Sequence, residues 1–166
     1  DETGDVGSGA VVFQGEDDLV FLREDNTTEV SPAALQKTAG NDEGTSLNLP
    51  IPENAATGSY ATDDGYSVVV QEPRITTSEV ILLNGNDITE VSTSQADTLN
   101  ITAESNFFDA ENIEITVQDP SGADITNEVT GGDTISTNGG TIPLDLSNED
   151  AGDYTIVFEG SDDLDY

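Results

Sequence analysis

The second half of the chain alternates apolar and polar residues with a period of two. Leu99, Ile101 and Ala103 are separated by polar residues, and Ile113 and Ile115 follow the same rule. Successive side chains of a β-strand point to opposite faces of a sheet, so this alternation predicts strands with one buried face. Further strands are predicted at residues 80–83, around Ile125 and Ile135, and at residues 142–146 and 154–158.

The first half contains shorter apolar runs, which predict strands at residues 10–13, 19–22, 46–51 and 66–70. Only residues 32–37 resemble a helical turn, with Ser31 as its N-cap and Pro32 in its first position. Short strands separated by turn signals are typical of β-sandwiches. The pattern therefore predicts an all-β fold.

A short motif recurs in the two halves. Gly58 precedes Tyr60 by two residues, as Gly152 precedes Tyr154. The second copy, which begins at Asp150, resembles the tyrosine corner of immunoglobulin-type domains, in which the tyrosine hydroxyl bonds back to the corner backbone. We predict such a structural corner at Asp150, Gly152 and Tyr154, with permissive glycine backbone at Gly58 and Gly152. At Tyr60, a second corner and a chance match remain open.

The segment at residues 71–76 separates the two copies. Its proline, Pro73, ends one strand, and a new apolar run begins at Ile75. We therefore predict two tandem immunoglobulin-like β-sandwich domains, an N-terminal one at residues 1–74 and a second at residues 75–166.

Composition adds an unusual charge. Thirty-five acidic residues face three basic ones, for a net charge of −32. Charge of this size keeps a protein soluble but repels itself within the compact state, and molar salt removes most of that repulsion by shortening the Debye length to about 3 Å. Intrinsic disorder is the alternative, yet Leu, Ile, Val and Phe make up about 24% of the chain, above the disordered range of under roughly 20%. We predict a folded protein of a high-salt medium.

The same composition excludes several function classes. The chain has no cysteine and no histidine, which rules out disulfides, thiolate nucleophiles and imidazole metal sites. Carboxylate pairs are so abundant that none indicates glycosidase chemistry, and we predict no enzyme. Nucleic acid is a poor partner for such a field. The longest aliphatic run, residues 80–83, is far too short for a membrane span in this segment.

Clustered carboxylates leave hard cations as possible ligands. Acidic clusters occur at residues 16–18, at residues 63–64, and at Asp162, Asp163 and Asp165. Oxygen donors of this kind suit Ca²⁺ or Mg²⁺, although none matches a known calcium-loop spacing. We predict a metal site at the terminal cluster, with a solvated acidic surface as the alternative.

Two N-glycosylation sequons are present, Asn26-Thr27-Thr28 and Asn100-Ile101-Thr102. Their number is no more than composition predicts by chance, but their positions are favourable. Asn26 follows a predicted strand in a polar turn, and Asn100 alternates with the inward Leu99 and Ile101. We therefore predict both asparagines to be exposed glycan acceptors.

Several segments carry a resemblance to a known family. Residues 9–19, Gly-Ala-Val-Val-Phe-Gln-Gly-Glu-Asp-Asp-Leu, are similar to the mature N-terminus of haloarchaeal surface-layer glycoproteins. Residues 99–103, 115–122 and 151–155 look like their immunoglobulin-like repeats. The resemblance implies an N-terminal segment of a secreted, N-glycosylated subunit, with a membrane anchor elsewhere in the protein.

Two functions follow from this reasoning. The first is structural: the chain would self-associate, or contact neighbouring domains of its own protein, in a cell-surface lattice whose acidic faces are bridged by divalent cations. The alternative is an adhesion or carbohydrate-binding module of a secreted protein, against which the absence of tryptophan counts.

Overall fold

The computed structural model describes residues 4–161 and Leu164. The contacts divide the chain into two compact units, Asp1–Pro73 and Arg74–Tyr166. Sheet pairing stays within each unit, and the description below takes them one at a time.

Residues 4–73, the described part of the first unit, form six strands and one short helix. Four strands form a sheet in the order β2-β6-β5-β4, in which β2 runs parallel to β6, and the remaining two strands form the parallel pair β1-β3. A 3-10 helix, Pro32–Ala34, precedes β4. The strands are β1 (Gly4–Val6), β2 (Ala10–Phe13), β3 (Leu19–Phe21), β4 (Gln36–Lys37), β5 (Gly58–Ala61) and β6 (Ser67–Gln71).

The core of the first unit explains why these elements form. Val68 and Val70 alternate with half-buried neighbours in β6 and are fully enclosed, as one face of a strand against a core requires. Tyr60 on β5 and Phe21 on β3 pack into the same cluster. The Tyr66 hydroxyl also donates to the carbonyl oxygen of Val6, which ties the β1 segment to the start of β6.

The second unit is antiparallel throughout its described strands. One sheet has the order β11-β8-β7 and the other β10-β9-β12. Leu99, Ile101 and Ala103 are buried on the central strand β8, and their polar neighbours are not. The elements are β7 (Ile75–Leu82), β8 (Leu99–Ser105), β9 (Ile113–Gln118), α1 (Thr126–Val129), β10 (Thr134–Ile135), β11 (Thr141–Leu144) and β12 (Thr155–Gly160).

The all-β prediction is confirmed by these sheets, whereas the immunoglobulin-type connection order remains a prediction. Within the described part of the chain, the two helices have three and four residues, and neither could cross a membrane.

Three element predictions were wrong. Residues around Ile125 form α1 instead of a strand, because the Asp124 carboxylate accepts hydrogen bonds from the amide and hydroxyl of Thr126 and starts a helical turn. The helical turn at residues 32–37 stops at Ala34, since Gln36 and Lys37 pair with β5. Residues 46–51 form no strand, and their β-pairing is limited to an isolated bridge between Ser46 and Gln36.

Candidate functional site

The Asn26 sequon lies at the tip of a hairpin loop. An isolated antiparallel bridge between Leu22 and Glu29 closes the loop, and the amide of Arg23 donates to the carbonyl of Thr28 at 2.9 Å. Asn26 has a φ of 52°, in the left-handed region that asparagine tolerates better than most residues. Residues 24–29 are all exposed. The Asn26 carboxamide is therefore carried on a protruding turn.

Asp25 organises this turn. Its carboxylate accepts hydrogen bonds from the Thr28 hydroxyl at 2.6 Å and from the amides of Thr27 and Thr28 at 3.0 and 2.8 Å. These bonds, led by the one from the Thr28 hydroxyl, lower the pKa of Asp25 from 3.8 to about 2. The Thr28 hydroxyl, which completes the sequon, is therefore already hydrogen-bonded to Asp25.

The Asn100 sequon lies in a very different setting. Asn100 belongs to the central strand β8, where it faces Pro143 of β11 on one side and Ile81 of β7 on the other. Its side chain is half-buried, and the hydroxyl of Thr102 donates to the carbonyl of Gly140 at 2.9 Å. Both asparagines were predicted to be exposed: Asn26 is exposed on a loop, whereas Asn100 is half-buried on a central strand.

The predicted corner residues lie together before β12. The Tyr154 hydroxyl donates to the carbonyl of Asp150 at 2.6 Å, the contact expected of a tyrosine corner. Gly152 has no left-handed φ, so permissive backbone is not its reason to be glycine. A Cβ on Gly152 would instead lie 2.4 Å from Cγ of Pro120, and that close approach excludes a side chain.

Tyr60 makes the corresponding contact in the first unit. Its hydroxyl donates to the carbonyl of Ala56, four residues earlier, at 2.8 Å. Tyr60 is only 2% exposed, whereas Tyr154 is half-buried. Gly58, between Ala56 and Tyr60, has a φ of 120°, which favours glycine strongly.

The carboxylates predicted to hold a metal, Asp162, Asp163 and Asp165, lie outside the described residues. Leu164 between them is fully buried, and its amide donates to the two carboxylate oxygens of Glu111 at 3.2 and 3.1 Å. Across residues 4–161 and Leu164, no three carboxylates gather in an arrangement that could hold a metal ion.

Two of the three basic residues of the chain, Arg23 and Lys37, make contacts with other residues of the first unit. Arg23 forms an ion pair with Asp64 at 2.6 Å, and hydrogen bonds from Thr62 and from Arg23 lower the pKa of the Asp64 carboxyl. Lys37 lies 5.8 Å from the ring centre of Tyr60 and donates to the carbonyl of Ala39. Sequence reasoning missed the Arg23–Asp64 pair, because the two residues are 41 positions apart.

Comparison with known proteins places these features in context. The cell surface glycoprotein of Halobacterium salinarum is 42% identical over 98% of the chain, and those of Haloarcula marismortui and Haloarcula japonica are 39% and 34% identical over 99% and 100% of it. The chain is a homologue of part of the haloarchaeal cell surface glycoproteins. The resemblance to haloarchaeal surface glycoproteins is thereby confirmed over nearly the whole chain, whereas the immunoglobulin-like character of its repeats stays a prediction.

The chain spans about a fifth of the length of the curated relatives it matches, between 21% and 23%. No family model matches it. Homology to cell surface glycoproteins supports an extracellular, cell-surface location.

Proposed function

We propose that the chain is an N-terminal part of a surface-layer subunit that assembles into a lattice in molar salt. The observation that carries the proposal is the homology to cell surface glycoproteins along nearly the whole chain, at 34–42% identity. The net charge of −32 suits the medium in which such a layer would stand.

Electron cryotomography of native envelopes tests the lattice. A gold-labelled antibody against the exposed turn at residues 40–45, which contains no sequon, marks the chain without requiring a change in sequence. We expect the label at regular two-dimensional spacing. Label that is scattered on the surface would contradict lattice assembly, leave the surface location intact, and favour the adhesion or carbohydrate-binding alternative.

We also propose that contacts between subunits need divalent cations, Ca²⁺ or Mg²⁺. Two faces that share a net charge of −32 per chain repel each other, and a divalent ion shared by carboxylates from both faces offsets that repulsion locally. Asp162, Asp163 and Asp165 are candidate ligands for such an ion.

Chelation separates this role from general screening. At constant molar NaCl, EDTA should release subunits from the envelope, and added Ca²⁺ or Mg²⁺ should restore the lattice while an equal ionic strength of extra NaCl does not. Retention of the lattice after chelation would refute the cation proposal but not the lattice itself.

A further inference from the structure

We propose that Asn26 remains a glycan acceptor on the folded protein, whereas Asn100 can accept a glycan only before β8 pairs with its neighbours. The inference concerns the order of folding and modification. It does not rest on lattice assembly, because the accessibility of each sequon is a property of the single chain.

The chemistry requires access to a short stretch of backbone. The Asn carboxamide nitrogen forms a bond to the anomeric carbon of a lipid-phosphate-linked oligosaccharide. The bond from that carbon to the phosphate oxygen breaks, the lipid phosphate leaves with the electron pair, and the amide proton is released. Because the sequon also demands a hydroxyl two residues later, the transferring enzyme must read both side chains and enclose the segment between them.

Asn26 meets this requirement in the folded protein. The hydrogen bonds that hold residues 25–28 are local: the amide of Asn26 donates to the carbonyl of Arg23, and Asp25 binds Thr27 and Thr28. An enzyme that draws the tip into its site breaks only bonds within residues 23–28, including the one from the Arg23 amide to the Thr28 carbonyl. The bridge at Leu22 and Glu29 and the buried Phe21 behind it can stay in place.

Asn100 does not meet it. Residues 100–102 pair with Pro143, Ile142 and Thr141 on one side and with Ile81, Val80 and Glu79 on the other. Ile101, the middle residue of the sequon, is fully buried. Presenting Asn100 and Thr102 to an enzyme would separate two strand pairs and expose Ile101. That amounts to opening the sheet at its central strand.

The finished fold nonetheless has room for a glycan at Asn100. The side chain alternates with buried Leu99 and Ile101 and so points away from the core, where it is half exposed. A sugar attached beforehand would extend into solvent. Occupancy at Asn100 therefore reports modification that preceded folding, and occupancy at Asn26 carries no such constraint.

In vitro transfer tests the inference. The unglycosylated chain, folded in about 3 M KCl, is incubated with haloarchaeal membranes that supply the transferase and its lipid-linked oligosaccharide. Glycopeptide mass spectrometry then follows each site. We expect transfer to Asn26 to be at least about tenfold faster than to Asn100, because the sheet must open locally before the enzyme can bind Asn100. The variants Thr28→Ala and Thr102→Ala each remove one sequon and identify its signal.

Two matched core variants supply the control under the same buffer. Ile115→Asp places a charge at a buried position of β9 and should open the second unit, so that Asn100 becomes an acceptor while Asn26 is unchanged. Val68→Asp should open the first unit in the same way and leave transfer to Asn100 as slow as in the native chain. Transfer to Asn100 of the native chain at the rate of Asn26 would overturn the inference, as would an Asn26 that accepts a glycan only in the Val68→Asp variant.

Discussion

At the residue scale, the Asp25 carboxylate organises the turn that carries Asn26 through hydrogen bonds from neutral donors. Asp25 holds three donors in the Asn26 turn. Its folded pKa of about 2 lies below the ordinary value of 3.8. Asp25 therefore stabilises the fold above about pH 4, and this contribution is lost as the pH falls through about 2.

Removing the Thr28 hydroxyl should show which donor matters most. Thr28→Val keeps the shape of the side chain but removes the leading donor to Asp25, so the pKa of Asp25 should rise. A carbon-detected NMR titration of the Asp25 carboxyl measures it. Thr27→Val is the matched control, because the Thr27 side chain is the weakest of the causes, and its effect should be clearly smaller. Equal shifts in the two variants would contradict the assignment.

Gly152 offers a second prediction at this scale. Its replacement by alanine would drive a Cβ to 2.4 Å from the Pro120 ring, so Gly152→Ala should destabilise the chain by about 1–3 kcal/mol. Urea unfolding in molar KCl measures the loss. Gly131→Ala is a close control, since its Cβ would meet the ring of Pro143 at an ordinary 3.8 Å. A Gly152→Ala variant as stable as Gly131→Ala would show that the Pro120 contact is not limiting.

At the element scale, each unit has a tyrosine whose hydroxyl bonds back to the backbone near the start of a strand, β5 in the first unit and β12 in the second. Tyr60 bonds back from β5 to Ala56, and Tyr154 bonds back from the start of β12 to Asp150. The two bonds have the same spacing but different burial.

Removing the two hydroxyls should therefore have unequal effects. Tyr60→Phe leaves the Ala56 carbonyl without its partner beside a buried ring, with a loss of about 1–3 kcal/mol. Tyr154→Phe lets water replace the exposed hydroxyl and should cost clearly less. Thermal unfolding of both variants, at one salt concentration, gives the comparison. A larger loss of stability in Tyr154→Phe than in Tyr60→Phe would contradict the expectation that burial sets the cost of removing the hydroxyl.

At the scale of the whole molecule, charge decides where the protein can stay folded. The carboxylates behind the net charge of −32 repel one another. In molar salt the Debye length is about 3 Å and most of this repulsion is screened, whereas at low salt it is not. The three basic residues are too few to offset this repulsion.

Dialysis from about 3 M to about 0.05 M KCl should accordingly unfold the chain, as screening is lost. Circular dichroism follows the change. A variant in which the exposed Asp42, Glu43 and Glu53 are changed to Asn, Gln and Gln should stay folded down to a lower salt concentration. A spectrum that is unchanged across the range would refute charge repulsion as the limiting factor.

The sequence by itself determined the properties that depend on local pattern or on composition. Period-two alternation at Leu99 and Ile101 is enough for β-structure, because it reflects only which face of a strand is buried. Net charge sets the solvent requirement whatever the fold. The tyrosine spacing and the sequons are likewise visible in a few consecutive residues. The hydrogen bonds of Asp25 were not predicted, although an aspartate two and three residues before threonines is a turn signal.

Only the tertiary structure decided what depends on distant partners. Alternation does not say which strands pair, so the parallel pairing of β2 with β6 could not be predicted. Nor could it place Asn100 on a central strand, or Pro120 against Gly152. These contacts join residues far apart in sequence, and their selection depends on how the whole core closes. That closure gives the two sequons different access.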